Sequence, residues 1–217
     1  MPTPPPGADD GWCLSTLFLK SNSETMDSDG PKTVALTVST DAWLDLLDES
    51  DEPPDALSFW VEHVVRATLR AATDVAWLRR GEVSLLLADD EEIRRLNAAY
   101  RQKDRATNVL SFPGLDLVEG DAEGAEPPGI AMLGDVVISH SRLMVEAREL
   151  GKAPLDHFAH LLVHGTLHLL GYDHDIDDRA ETMEVLEAEI LRMLDFAAPY
   201  EPVADVDGEC AALSAIS

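Results

Sequence analysis

The sequence contains very little cysteine, and this shortage excludes two kinds of site. Only Cys13 and Cys210 occur among 217 residues, and they lie near opposite ends of the chain. Such spacing gives neither a disulfide framework nor a cysteine-based zinc motif. We therefore expect no disulfide partner and a reducing, cytoplasmic compartment.

Long hydrophobic runs are missing as well. The apolar stretch at residues 12–19 is much shorter than the roughly 20 residues that a membrane helix needs. It follows Asp9 and Asp10 instead of basic residues, which is not typical of a signal peptide. The sequence therefore predicts no membrane-spanning segment and no membrane partner.

Basic residues are scarce, with 16 lysines and arginines against 42 aspartates and glutamates, for a net charge of −26. Taken alone, this charge argues against nucleic acid as a partner, because phosphate binding needs cations. Residues 93–113 are an exception, since they carry five bases and one acid, a local charge of +4. The bases are Arg94, Arg95, Arg101, Lys103 and Arg105. This distribution weakens the argument against nucleic acid, because it allows a basic patch on an acidic body.

What remains is typical of one globular domain with a full core, since 45% of the residues are hydrophobic and 27% are charged. Residues 1–32 are rich in Pro, Ser, Gly and Asp, which predicts a disordered tail. The folded domain is expected over 33–195, with an acidic, Gly- and Pro-rich loop at 114–130. Residues 196–217 are interpreted as a flexible acidic tail.

Hydrophobic periodicity predicts the order β-α-β-α-β-β-α-α-α. Strands are expected over 33–39, 82–88, 107–112 and 134–139. Helices are expected over 56–72, 90–100 and 139–150, from 154 to Gly171, and from 177. The helix from 154 is apolar on nearly all sides, which is typical of a buried helix. We therefore predict an α+β single domain with a small mixed four-stranded sheet, about five helices and a buried metal-bearing helix.

Three histidines, two in that helix and one after it, indicate a metal-binding site. His164 and His168 are four residues apart, so their rings lie one turn apart on one helix face. Gly171 can take the left-handed conformation that ends a helix, and His174 then supplies a third nitrogen. A chance pair of helical histidines is common, so the third one is what favours a metal. Three histidines with an open position are typical of a catalytic zinc site.

The same spacing occurs in the metzincin motif H-E-x-x-H-x-x-G-x-x-H, with one difference. The glutamate that serves those proteases as general base is replaced by Gly165. The motif therefore predicts a metal-activated water more firmly than it predicts a protease. His157 and His160 lie upstream on the same helix face, and we interpret them as packing or hydrogen-bonding residues.

Three sequence blocks together resemble the YbeY family of bacterial zinc-dependent endoribonucleases, also called rRNA maturation factors. They are 97–113, which contains Tyr-Arg and Val-Leu-Ser-Phe-Pro, then 133–139, and finally the histidine block 164–174. The resemblance extends from about residue 33 to residue 194. One departure is Asn108, where the family usually has aspartate.

The resemblance implies one Zn²⁺ ion held by His164, His168 and His174. It implies cleavage of single-stranded RNA in 16S rRNA 3′-end maturation and ribosome quality control. The expected partners are therefore the 16S rRNA precursor and the ribosome or its small-subunit proteins. It also implies that Arg101 is a residue on which activity depends, although the position alone suggests an ordinary surface arginine at a helix end.

Two other functions stay open at this point. The first is a non-catalytic ribosome-assembly factor in which zinc is structural. The second is a zinc hydrolase of another class, such as a peptidase or amidase, against which Gly165 argues. Asp173 and Asp175 flank His174, but we interpret them as residues that orient it, and the sequence indicates no general acid or base.

Overall fold

The computed structural model of the protein describes residues 32–47, 56–122, 126–174 and 177–197. Nearly all of both predicted tails therefore lies outside the described residues. Among the helices that are described, none combines the length and the apolar content needed to cross a membrane.

The sheet is mixed and has four strands, as predicted. They are β1 (Val34–Val38), β2 (Glu82–Ala88), β3 (Val109–Pro113) and β4 (Met132–Ser139). Their spatial order is β1-β2-β4-β3, in which β2 is parallel to β1 and β4, while β3 is antiparallel to β4. β3 is thus an edge strand of this sheet, with one side of its backbone free for other contacts.

Within the described residues, five α-helices surround the sheet, in agreement with the predicted number. They are α1 (Ala56–Ala72), α2 (Asp90–Arg101), α3 (His140–Leu150), α4 (Pro154–Leu169) and α5 (Asp177–Met193). In the part of the chain that the structure describes, two 3₁₀ helices, Asp41–Leu47 and Leu78–Arg80, add to them. Helix starts follow the expected capping chemistry, because the side chains of Asp89 and Ser139 accept hydrogen bonds from the first turns of α2 and α3.

Helix α4 lies in the middle of the fold, packed against α1, α3, α5 and the strands β3 and β4. Phe158 is fully buried and stacks on Trp60, with ring centroids 4.8 Å apart. Leu162 and Leu167 are fully buried further along α4. The prediction of a buried central helix is therefore confirmed, and its burial explains why α4 is apolar on nearly every side.

Helix α2 covers the opposite face of the sheet. Ile93 packs against Leu110 of β3 and Val137 of β4 in a small second cluster. Since alternate residues of a strand face opposite ways, Ser111 and Val136 point instead towards α4. β3 therefore contacts α2 on one face and α4 on the other, at the edge where the candidate site lies.

The folded part extends slightly beyond the predicted boundary at its end. Phe196, which we assigned to the flexible tail 196–217, is buried and contacts Trp60 edge-on with centroids 5.8 Å apart. Its backbone N–H donates to the carbonyl of Leu191 at 2.9 Å. The apolar Phe196 thus closes the core beyond α5, and its burial is the reason for the difference.

The first part of the predicted mobile loop contacts the end of α4. The backbone N–H of Gly120 donates to Leu170 O at 2.8 Å, and that of Glu119 donates to Gly171 O at 3.4 Å. Leu117 packs against the core. The loop is therefore attached to the segment that follows the metal helix, which places it at the rim of the site.

Candidate metal centre

His164 and His168 face each other across one turn of α4. Their ring centroids are 4.6 Å apart, and their Nε2 atoms are 3.1 Å apart. The helix can lie close to the sheet at this level because Gly165 has no side chain. A Cβ there would lie 2.8 Å from Cγ1 of Val136 and 3.3 Å from Oγ of Ser111. The absence of the protease glutamate at this position therefore has a steric reason.

His174 reaches the same place through a tight turn. Helix α4 ends at Leu169, and Gly171 has φ +83°, so the predicted left-handed glycine is confirmed. A Cβ on Gly171 would lie 2.0 Å from the carbonyl oxygen of Leu117, which excludes other residues. The Asp173 side chain then accepts a hydrogen bond from the His174 backbone N–H at 2.7 Å.

The three histidines form one group, which we call the histidine cluster (His164, His168 and His174). The ring of His174 lies 5.6 Å from that of His164 and 5.1 Å from that of His168, measured between centroids. One nitrogen from each ring lies within 4.8 Å of the others. His164 and His168 are half-buried whereas His174 is exposed, so the cluster opens towards solvent on one side.

The second nitrogens of His164 and His168 already have partners inside the protein. Nδ1 of His164 lies 2.7 Å from Oε1 of Glu187, and Nδ1 of His168 lies 3.0 Å from the backbone carbonyl of Tyr172. The Tyr172 carbonyl can only accept, so Nδ1 of His168 is the donor, and Nδ1 of His164 donates to Glu187 when that carboxylate oxygen accepts. Each Nε2 of a neutral ring then carries a lone pair directed into the cluster.

These lone pairs fit a metal ion well. Two acceptor nitrogens only 3.1 Å apart repel each other unless a cation or proton lies between them. Ligand nitrogens 2.0–2.1 Å from a tetrahedral zinc are roughly 3.3 Å apart, close to that separation. Burial lowers the pKa of His168 to about 4, with further lowering by His164 and His174. Its ring is therefore neutral at pH 7, the form that binds metal.

A cleft of about 740 Å³ lies over the cluster and is rich in positive charge. Four basic side chains line it, and we call them the cationic rim: Arg101, Lys103, Arg105 and Arg179. The lining has two carboxylates, Asp116 and Asp173. Three of the five bases in the predicted patch 93–113 therefore line the same cleft as the histidines.

Arg101 is the last residue of α2 and lies next to the edge strand. Its guanidinium donates a hydrogen bond to the carbonyl oxygen of Ser111 in β3 at 3.2 Å. The following loop turns at Gln102, which has φ 57°, and Nδ2 of Asn97 donates to Arg105 O at 2.7 Å. The loop with Lys103 and Arg105 is thus fixed through the buried Asn97, a role that the sequence analysis missed.

The sequence analysis missed two further residues of the site, both of which belong to α5. Glu187 is buried, with 1% of its surface exposed, and Arg179 lines the cleft opposite the loop after α2. Glu187 shares the inward face of α5 with Met183 and Ile190. A charged residue in an apolar helix stripe is a signal that could have found it. Arg179 has no such signal in the sequence.

The unusual residue Asn108 has a partner that suits an amide. Its Nδ2 donates to Oε2 of Glu146 at 2.9 Å, and its Oδ1 accepts from the Val109 N–H at 2.8 Å. The same Glu146 oxygen lies 2.9 Å from Nε2 of the buried His157. An aspartate at 108 would bring a second negative charge to Glu146. His157 thus serves as the hydrogen-bonding residue that we expected.

Comparisons with known proteins agree on one family. Residues 47–195 match the family model described as Endoribonuclease YbeY. The chain is 49% identical over 119 residues to Endoribonuclease YbeY of Bartonella quintana, covering 55% of this chain and 72% of that protein. It is 44% identical over 160 residues to Endoribonuclease YbeY of Rhizobium meliloti, covering 71% and 91%.

A search of solved structures found the solution structure of TM1509 from Thermotoga maritima. It is 19% identical in sequence, with a TM-score of 0.43, and the match covers 77% of this chain and 99% of that one.

Proposed function

Because the chain belongs to the YbeY family of endoribonucleases, we propose that it cuts single-stranded RNA with one zinc ion held by the histidine cluster. Its reaction class is hydrolysis of RNA phosphodiester bonds in rRNA processing. The proposed substrate is the 16S rRNA precursor at its 3′ end. Ribosome quality control and contact with the ribosome or small-subunit proteins belong to the same proposal, as does action in the cytoplasm.

The observation that carries the proposal is the pair of facing Nε2 atoms 3.1 Å apart, with His174 beside them. His164, His168 and His174 would hold the ion, and the open side of the cluster faces the cleft. A zinc ion bound there would lower the pKa of a bound water towards about 7 and polarise a phosphoryl oxygen. Three imidazole ligands suit zinc but also nickel or copper, so elemental analysis has to identify the metal.

The cationic rim would hold the RNA backbone. Arg101 lies at the β3 edge of the same cleft as the histidines, and its planar donors match a phosphate. We assign it to the scissile phosphate, where it offsets charge that grows in the transition state. Lys103, Arg105 and Arg179 would contact neighbouring phosphates. Because the chain as a whole carries a net charge of −26, which repels RNA, the rim would direct the strand to this cleft.

The second candidate, a non-catalytic assembly factor with a structural zinc, is favoured by one observation. The strong negative charge of the chain suits a protein partner that itself supplies the RNA contact. A peptidase or amidase has less support, because a side chain at Gly165 would meet Val136 of the sheet.

The test is elemental analysis combined with RNA cleavage, with His168→Ala as the variant. We expect one equivalent of zinc in the parent protein and none in the variant, and cleavage of a single-stranded RNA by the parent alone. Equal metal in both proteins would remove the site. Turnover of casein instead of RNA would support the hydrolase alternative. Ribosome association without cleavage under any condition would support the assembly factor.

A further inference from the structure

The side chain of Glu187 has an unusual position for a carboxylate. It lies in the core with 1% of its surface exposed, on a helix face that otherwise contributes apolar residues. Oε1 lies 2.7 Å from Nδ1 of His164, and Oε2 lies 3.4 Å from Nε2 of His160. Each carboxylate oxygen thus lies near a different histidine of α4, with the shorter contact to His164.

We propose that Glu187 is a positioning residue that fixes the tautomer and ring orientation of His164 for metal binding, with His160 supporting it from behind. This inference rests on the metal site of the proposed function. A carboxylate is costly to bury, and an apolar side chain would fill the same space without that cost. Packing alone therefore gives no reason for a glutamate here.

Hydrogen-bond chemistry gives that reason. When Oε1 of Glu187 accepts the 2.7 Å hydrogen bond from His164, Nδ1 of His164 keeps its proton and the neutral ring keeps its lone pair at Nε2. That lone pair is directed at the neighbouring Nε2 of His168, 3.1 Å away. A ligand imidazole that donates its other N–H to a carboxylate has a fixed ring and is a more basic ligand. Without Glu187, His164 would be free to take the other tautomer, which has no lone pair at Nε2.

The contact also joins two helices that carry the histidine cluster between them. His164 lies in α4, whereas Glu187 lies in α5, which begins at Asp177, three residues after His174. The contact between Glu187 and His164 is therefore one of those by which α5 docks on α4.

The same atoms could instead bind a second metal ion, which is an alternative to the positioning role. His160, His164 and Glu187 offer one ligand atom each within 4.8 Å of one another, so they could hold a second cation. In that case Glu187 would be a metal ligand, and His164 would have to bridge two ions. Metal stoichiometry separates this arrangement from a positioning role.

The experiment uses the full chain and the substitutions Glu187→Gln and Glu187→Ala. The matched control is Glu189→Gln, because Glu189 is exposed on the same helix. Zinc affinity is measured by competition with a chelator, and the histidine tautomers are measured by ¹⁵N NMR of the zinc-free protein. Glu187→Gln keeps the size of the side chain and an acceptor oxygen, so it tests the role even if Glu187→Ala fails to fold.

We expect Glu187→Ala to weaken zinc binding by about 10- to 100-fold, with Glu187→Gln between it and the control. We expect His164 to keep the Nδ1–H tautomer in the parent and in Glu189→Gln, and to lose it in Glu187→Ala. His160→Gln should weaken zinc binding less than Glu187→Ala does.

Two results would overturn the inference. One is that both Glu187 variants bind zinc as tightly as Glu189→Gln does and show the same ¹⁵N shifts for the His164 ring. The other is two zinc equivalents in the parent, one of them lost in His160→Gln. If the parent binds no zinc at all, the proposed function fails instead. The tautomer measurement in the zinc-free protein then still decides whether Glu187 fixes His164.

Discussion

The histidine cluster and the cationic rim line the same cleft, yet the protein holds them in different ways. His164 and His168 are half-buried, and their second nitrogens contact Glu187 and the Tyr172 carbonyl. The rim side chains are exposed: Arg101 reaches Ser111 O at 3.2 Å, and Arg179 reaches Glu119 at 3.8 Å. One region is fixed by buried hydrogen bonds, and the other extends into solvent.

The difference follows from what each region must do. Metal ligands have to meet at distances set to a few tenths of an ångström, so their rings need support from the core. Phosphate contacts act through charge over longer distances. Flexible exposed side chains can therefore supply them along a flexible RNA strand. The comparison predicts that changes in the cluster alter metal content or stability, whereas changes in the rim alter RNA cleavage or binding alone.

The sharpest test of this separation is Arg101→Ala. Removing a group that stabilises transition-state charge is expected to lower the cleavage rate by roughly 10²- to 10³-fold. Zinc content should stay the same, because the guanidinium of Arg101 donates to Ser111 of β3 and Arg101 does not belong to the histidine cluster. The measurement is single-turnover cleavage of single-stranded RNA with elemental analysis of each sample. Arg192→Ala is the control, since Arg192 is exposed on α5 and does not line the cleft. Loss of zinc in Arg101→Ala would contradict the separation.

Gly171→Ala should displace His174 from the histidine cluster, although residue 171 is not itself a member of the cluster. The new methyl group would meet Leu117 O at 2.0 Å, in a backbone with φ +83°. We expect a loss of about 2–3 kcal/mol in the free energy of unfolding, together with weaker zinc binding as the turn to His174 shifts. Urea unfolding and chelator competition measure the two effects.

Gly151→Ala is a close control for that substitution. Gly151 follows α3 with φ 65°, and a Cβ there would have no neighbour within 4 Å. It therefore reports the cost of left-handed backbone without the clash, about 1 kcal/mol. Equal losses in the two variants would show that contact with the 114–122 loop does not matter.

Lys103→Ala and Arg179→Ala test whether the rim acts through phosphate contacts. Each variant should bind single-stranded RNA more weakly, and the slope of log K against log salt should fall by about 0.7 per lost contact. Binding is measured at several salt concentrations with His168→Ala as the background, so that cleavage does not interfere. An unchanged slope would remove that residue from the RNA path.

The smallest effect concerns His157, which lies two turns before His164 on α4. Burial lowers its pKa below 6.5, and the Glu146 side chain opposes this only in part. The unfolded chain therefore takes up a proton near pH 6.5 before the folded protein does. The stability due to neutral His157 is complete above pH 6.5 and declines as the pH falls below it.

Between pH 7.5 and 5.5 the parent should lose up to about 1 kcal/mol more stability than His157→Gln. Urea unfolding at both pH values measures the difference. Equal pH dependence in the two proteins would show that His157 is not held neutral, and that the support of α4 does not extend beyond the histidine cluster.

Much of the fold follows from local patterns. Helix α1 spans the predicted residues, and α4 starts at Pro154 as expected, because apolar periodicity and helix-starting residues are local signals. Strand β3 begins at Val109, two residues later than predicted, since the side chain of Asn108 accepts the hydrogen bond of the Val109 N–H. A side chain in competition with the strand ladder is harder to detect from sequence.

The candidate site divides in the same manner. The sequence by itself determined that His164 and His168 share one helix face and that Gly171 turns the chain back, because four-residue spacing and glycine's backbone freedom act over a few residues. Only the tertiary structure decided that Glu187 and Arg179 face the site, and that β3 is the free edge beside it. Those positions depend on how α5 and the strands pack against α4, and packing depends on the shapes of residues far apart in the chain.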